Sequence, residues 1–259
     1  MEHLGIATPA ARTPWPRSAW LIVLALAAAA GLWWHGPIVQ WSHYHDFADA
    51  AAWGALPNAA NVLSNLPFLA IGVWAVHRLR HGTAQGPAHG AWLSLAVAVA
   101  LTALGSAIYH AAPSDTTLLL DRLPIAWACA SLLCALLAER VAPSWGRAAP
   151  LAAVLLFATI AVAAWAVSGD LRLYAAVQFL PMLLVPAALA LRLAPTAPGA
   201  VTGRDWLVVL GLYALAKGME AADHAVLDTL VVVSGHTLKH LLAAAAAGWL
   251  LRSAITARR

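Results

Sequence analysis

The sequence predicts an all-α, polytopic membrane helix bundle, and three observations carry that expectation. Of the 259 residues, 62% are apolar and 10% are charged, where a soluble domain carries about 25% charged residues. The mean hydropathy is +0.76. The apolar residues form long continuous runs instead of alternating, which excludes a transmembrane β-barrel. Fifteen basic and eleven acidic side chains are too few to cover a soluble surface, so a disordered chain, a secreted disulfide scaffold and a soluble α/β enzyme are excluded. The basic excess, with a pI near 9.5, marks loops on one side of a membrane and no nucleic-acid partner.

A bilayer core takes roughly 20 apolar residues per helix. Eight segments qualify in order: 19–36, 60–79, 91–110, 118–138, 148–168, 173–192, 205–222 and 232–251. The first has no charge from Ala19 to Trp34. Arg12 and Arg17 precede it as in a signal peptide, but Trp33, Trp34 and His35 follow where small residues would stand at a cleavage site, so an anchor helix is expected. Cys129 and Cys134 lie five residues apart on the fourth span, where their side chains diverge and form no disulfide. Spans five and six are clean. Lys217, Glu220, Asp223 and His224 lie in or near the seventh, and His236, Lys239 and His240 lie in the eighth. Residues 82–90 and 195–204 read as loops. The expected organisation is a tail and anchor over 1–44, a seven-helix bundle over 45–252 and a tail over 253–259.

The charges orient this bundle. Arg12, Arg17, Arg78, Arg80, Arg140, Arg147, Arg192, Arg204, Arg252, Arg258 and Arg259 all fall on one side of an eight-span chain. The opposite loops hold Asp46, Asp49, Asp115, Asp170, Asp223 and Asp228, with Arg172 as the only basic residue among them. The positive-inside rule then puts both termini in the cytoplasm.

Ionisable residues inside a bilayer are costly and mark function by default. Ser106 and His110 stand at i and i+4 near the outer end of the third span, sharing one helix face. Asp121 lies early in the fourth span, and His236 and His240, again i and i+4, lie early in the eighth. The orientation brings all five to one depth, towards the outer side. Two histidines at this spacing form a zinc half-site, and a third leaves a position open to water whose pKa zinc lowers to about 7. Position 237 is Thr, so the base comes from elsewhere, and Asp121 is the carboxylate at the right depth. Ser106 is placed to donate to an oxyanion. Other readings stay open: the histidines as interior hydrogen-bonding residues or haem ligands, and Asp121 as an ion-pair partner of Arg122 or Lys239.

At these residues the chain resembles the alkaline ceramidase family, within the superfamily of seven-helix membrane hydrolases that also holds the adiponectin-receptor-like proteins. The shared pattern is Ser106-x-x-x-His110, then Asp121, then His236-x-x-x-His240. The stretch Asn61-Val62-Leu63-Ser64-Asn65-Leu66 resembles that family's N-x-x-S-N-L, and Asp121-Arg122-Leu123-Pro124 resembles its D-E-L-P with Arg in place of Glu. The resemblance covers about residues 45–252, and the anchor helix is an addition to it. It implies zinc on His110, His236 and His240, activation of water by Asp121 and Ser106, and hydrolysis of the ceramide amide to a sphingoid base and a fatty acid. Another N-acyl lipid is the alternative substrate. The resemblance also implies calcium near the start of the seven-helix core. Asp46 and Asp49 are the counterparts here, and Asn58 stands near a position that is acidic in the family. The alternative is that Asp46 and Asp49 solvate an outer loop.

Three further pairs of readings follow. Glu220, Asp223 and His224 either hold a histidine tautomer or cap a helix end. Lys217 and Lys239 pair with carboxylates or snorkel. Trp127 either lines a lipid pocket or packs between helices, whereas Trp15, Trp20, Trp33, Trp34, Trp41, Trp53 and Trp145 read as an interfacial belt. Rival functions are a receptor-like or regulatory protein with little turnover, a haem or proton-handling transporter, and a lipid ester hydrolase. The sequence sets no oligomeric state.

Overall fold

Small residues, capping hydroxyls and one sharp bend decide how the apolar segments pack. The computed structural model describes residues 15–82 and 86–257. Arg12, Arg258 and Arg259, three members of the basic pattern, lie outside the described residues. In chain order the helices are α1 (Ala19–His35), α2 (Ala59–Leu63), α3 (Leu66–His81), α4 (His89–Ala111), α5 (Asp115–Arg140), α6 (Ala148–Ser168), α7 (Arg172–Ala190), α8 (Gly203–Ala221), α9 (Asp223–Leu230) and α10 (Gly235–Thr256), with a 3₁₀ turn at Pro143–Gly146 between α5 and α6. Among the described residues β pairing is limited to two isolated bridges, Val39 with Asp170 and Trp53 with Leu56. The fold is therefore an all-α membrane bundle.

The expected segments are helical over most of their length, with breaks at 64–65 and 231–234. Among the described residues, five segments can cross a membrane by length and composition: Ala59–His81 (α2 and α3 taken together), α4, α5, α6 and α7. α9 and α10 make a sixth if they count as one span, although they meet at a bend of 105°. α1 has 17 residues, short of a full bilayer core, and α8 carries Arg204, Asp205, Lys217 and Glu220. The bend corrects the expected eighth span. Val231 in the left-handed region (φ 66°) ends α9, and Ser234 restarts the chain by accepting from the Thr237 N–H at 3.1 Å, an N-cap that satisfies an orphan donor. Ser114 and Thr202 cap α5 and α8 in the same way.

Helices approach closely where the chain has no side chain to keep them apart, the usual device when lipid supplies no hydrophobic drive for helix association. A Cβ on Gly105 of α4 would sit 1.9 Å from the Leu120 carbonyl oxygen of α5. A Cβ on Gly235 would sit 2.1 Å from the Met219 carbonyl oxygen of α8. These contacts press α4 onto α5 just before Asp121 and seat the start of α10 against the end of α8. The most extensive packing is α4 on α5 and α10 on α8. Away from them, Glu139 is buried and accepts from Trp92 Nε1 and the Val201 N–H, both at 3.0 Å, which ties α5 to α4 and to the loop before α8.

Candidate metal and catalytic site

Two helices deliver the three histidines. His110 ends α4 and His236 and His240 occupy the first two turns of α10, and all three are buried. Their ring centroids lie 4.8 to 4.9 Å apart, and one ligand atom from each falls within 4.8 Å of the others. The Nε2 atoms of His110 and His236 are 3.3 Å apart. Two nitrogens bound tetrahedrally at about 2.0–2.1 Å from one ion lie roughly 3.3 Å apart, so the donor set and its spacing fit a small divalent metal. The His110 Nδ1 is buried with no hydrogen-bond partner.

The surroundings fix these rings. Ser64, in the break between α2 and α3, stands 2.7 Å from His240 Nδ1 and donates to the Asn61 carbonyl at 2.9 Å. Asn61 is itself buried; its amide donates to the Asp49 carbonyl and its Oδ1 accepts from Thr237 of α10, each at 3.0 Å. Phe47, from the loop between α1 and α2, packs over His110 and His236 with centroids 4.6 and 4.7 Å away. Asp223 anchors that loop to α10: its Oδ2 accepts from the Ala48 N–H at 3.0 Å and its Oδ1 from the His236 N–H at 2.6 Å. Asp223 thus acts on a backbone end and not on an imidazole. Glu220 pairs with Lys217 and with Lys239, the latter at 3.1 Å, and Lys239 reaches His236 Nε2 at 2.8 Å. Both lysines therefore answer to one carboxylate.

Ser106 is buried on the face of α4 that meets α5, within hydrogen-bond reach of Asp121. The Asp121 Oδ1 is buried without a further partner, and Asp121 is in no ion pair among the described residues, with Arg122 or with Lys239. Ser106, Asp121 and His240 line one cavity of about 250 Å³. From this polar end it runs down between α5 and α10 past Leu132, Ala243 and Leu250, about ten residues or some 15 Å of helix. Ala243, Ala246 and Ala247 keep its α10 wall shallow. The shape suits an apolar chain with its polar head at the histidine end. Trp127 lies outside this lining and donates to Thr159 Oγ1 at 2.9 Å, so it packs α5 on α6.

Asp46 bonds to His43 at 2.8 Å, Asp49 accepts from the Ala51 N–H at 3.0 Å, and the Asn58 amide donates to the His110 carbonyl at 2.8 Å. Asp46 and Asp49 join no convergent group of ligating side chains among the described residues. Asn58 holds φ at 47°, a conformation that asparagine tolerates.

Sequence reasoning missed the roles of Ser64, Phe47, Tyr44 and Arg122. Of these, Ser64 carried a signal, because it stands in the N-x-x-S-N stretch. Tyr44 lies against Arg122, and burial pushes its hydroxyl above the ordinary tyrosine range, so it stays neutral.

The family model described as Ceramidase matches residues 55–197, more than half of the chain. The match takes in Asn61, Ser64, Ser106, His110 and Asp121 and ends before His236 and His240. No curated protein matches the chain.

Proposed function

The chain belongs to the ceramidase family, and from that premise we propose that it is a zinc-dependent hydrolase, embedded in the membrane, that cleaves the amide of ceramide or a related N-acyl lipid. The observation that supports this reading most is the meeting of His110, His236 and His240 beside Ser106 and Asp121 at the polar end of an apolar cavity. His110, His236 and His240 would hold the metal, which when bound polarises a carbonyl and lowers the pKa of water.

The acyl chain lies along the α5–α10 cavity, which places the amide at Asp121. Asp121 accepts a proton from the attacking water as its oxygen bonds to the carbonyl carbon. Ser106 orients this carboxylate by donating to it; once Asp121 holds the water's proton it no longer needs that bond, and the Ser106 hydroxyl turns to donate to the oxygen that gains charge. Asp121 then returns the proton to the amine nitrogen as the C–N bond breaks, giving a long-chain amine and a fatty acid. The excluded water of the buried site strengthens each of these contacts. With the basic loops on the cytoplasmic side, the histidine end of the bundle faces the outer side of the membrane.

Lipid mass spectrometry tests the proposal. Membranes containing the intact protein should lose an N-acyl lipid and gain its amine and fatty acid, and His236→Ala membranes should retain it. Equal lipid profiles with and without the intact protein would overturn it.

A further inference from the structure

One position beyond Asp121 on α5, Arg122 is 3% exposed. A guanidinium taken out of water is stable only with a carboxylate or a full set of acceptors, and Arg122 has neither. It takes part in none of the ion pairs among the described residues. Its Nε and Nη1 are buried with no hydrogen-bond partner. Aromatic rings hold it instead: the guanidinium carbon lies 3.9 Å from the Trp165 ring centre and 5.1 Å from those of Tyr44 and Tyr174. Such rings stabilise the charge and fix the plane of the fork, and the Tyr44 hydroxyl lies within hydrogen-bond reach of the side chain, but Nε and Nη1 stay unused.

Arg122 lines the same cavity as Asp121 and His240. Lys217, Lys239 and Glu220 complete the charged lining there, and Glu220 is engaged by both lysines. The polar end therefore holds three cations against two carboxylates, with unsatisfied guanidinium donors beside the catalytic carboxylate. A planar fork with free N–H groups is built for a carboxylate or a phosphate. An intramembrane cation left unpaired by the protein itself marks a functional partner that the protein does not supply.

We infer that the lipid cleaved at this site carries an anionic group, a carboxylate or a phosphate, on its amine half, and that Arg122 selects it. This rests on amide hydrolysis at the histidine cluster and narrows its substrate from ceramide, whose amine half is neutral, to a related N-acyl lipid with an anionic amine half. The acyl half has no use for Arg122, because its path runs along the apolar walls below. An anion on the amine half, a few bonds from the scissile nitrogen, falls next to Asp121, where Arg122 sits.

The test uses three lipids with one acyl chain: N-palmitoylglycine, N-palmitoylethanolamine and the phosphate ester of N-palmitoylethanolamine. For the intact protein, one or both charged lipids should show a KM at least about 10-fold below that of the neutral one; the arm that gains more separates carboxylate from phosphate. Arg122→Gln should raise the KM for the charged lipid by about 10- to 100-fold, the worth of a buried charged hydrogen bond, and leave the neutral lipid within about 2-fold. Arg122→Lys should recover part of the loss. A neutral lipid handled as well as both charged ones, or a parallel loss on all three in Arg122→Gln and Arg122→Lys alike, would overturn the inference, since a merely structural arginine would act that way. If Arg122→Gln does not fold, the intact protein's preference and Arg122→Lys decide. Equilibrium binding of the three lipids, read by tryptophan fluorescence, separates the two levels of the argument. No turnover on any lipid counts against amide hydrolysis, whereas charge-selective binding weakened in Arg122→Lys still supports the inference and charge-blind binding overturns it.

Discussion

Ser64 Oγ stands 2.7 Å from Nδ1 of His240 and 2.9 Å from the carbonyl oxygen of Asn61. A hydroxyl has one proton, and a carbonyl can only accept, so that proton goes to Asn61. The Ser64 oxygen then accepts from His240 Nδ1–H, and the lone pair of the imidazole sits on Nε2, available to a metal. One serine in a helix break thus sets the tautomer of a ring 176 positions away in the chain.

Ser64→Ala removes that acceptor and leaves the Asn61 carbonyl as the remaining partner of the His240 Nδ1–H. Metal affinity should fall about 10- to 100-fold, the usual effect of losing such an outer partner. Competition with a chelator of known affinity measures it. Affinity equal to that of the intact protein would show that Ser64 does not fix the ring.

Gly105→Ala places a Cβ 1.9 Å from the Leu120 carbonyl oxygen and 3.2 Å from the Asp121 nitrogen, backbone atoms that have no cheap way to move. The α4–α5 contact opens and Ser106 leaves Asp121. Overpacking of this kind costs about 1–3 kcal/mol of stability, and a misplaced catalytic group costs about 100-fold in turnover. Gly211→Ala is the control, because a Cβ there meets nothing within 4 Å. Melting curves and turnover of both variants in detergent check the contrast.

Asp121→Asn keeps the shape of the site and removes the proposed base. The kcat should fall about 10²- to 10⁴-fold, the range for a lost general base, with metal per chain unchanged. Ser106→Ala should cost about 10²-fold. A variant at Asp121 that turns over at the intact rate would move the base elsewhere.

Asp170 gives an acid-side prediction outside the helices. The Arg172 backbone N–H, with the Ile38 N–H and the Arg172 side chain, holds its carboxyl below the ordinary aspartate range. A folded pKa below the unfolded value of about 3.9 adds stability that is present above that value and is lost as pH falls through the folded pKa. The Asp170→Asn variant should therefore melt below the intact protein near pH 5, and the gap should shrink as pH falls below about 4. A constant gap across that range would show that the Asp170 contacts do not depend on its charge.

Much of the site is legible in the sequence because its signals are local. The i,i+4 spacing of Ser106 with His110 and of His236 with His240 puts each pair on one helix face, and the alternation of basic loops puts the two faces at one depth. What the sequence withheld depends on long-range packing. Nothing near Arg122 announces three rings drawn from positions 44, 165 and 174, and nothing near Asp223 announces a bond to the His236 backbone across a bend of 105°. Lys239 could be placed in the membrane but not matched to Glu220, because the two meet only when α8 and α10 pack. The Asn61–Asn65 stretch was readable as a pattern, whereas its work of tying His240 and Thr237 to the loop over the site needed the fold.

The central claim is that His110, His236 and His240 hold a metal on which amide cleavage depends. Purified protein stripped by a chelator and titrated with zinc, with amine release from an N-acyl lipid as the readout, tests it most directly. The account predicts no turnover in the stripped protein, recovery that levels off at one zinc per chain, and no recovery in His240→Ala. Full-rate amine release from the stripped protein, or zinc-dependent release that survives His240→Ala, would contradict it.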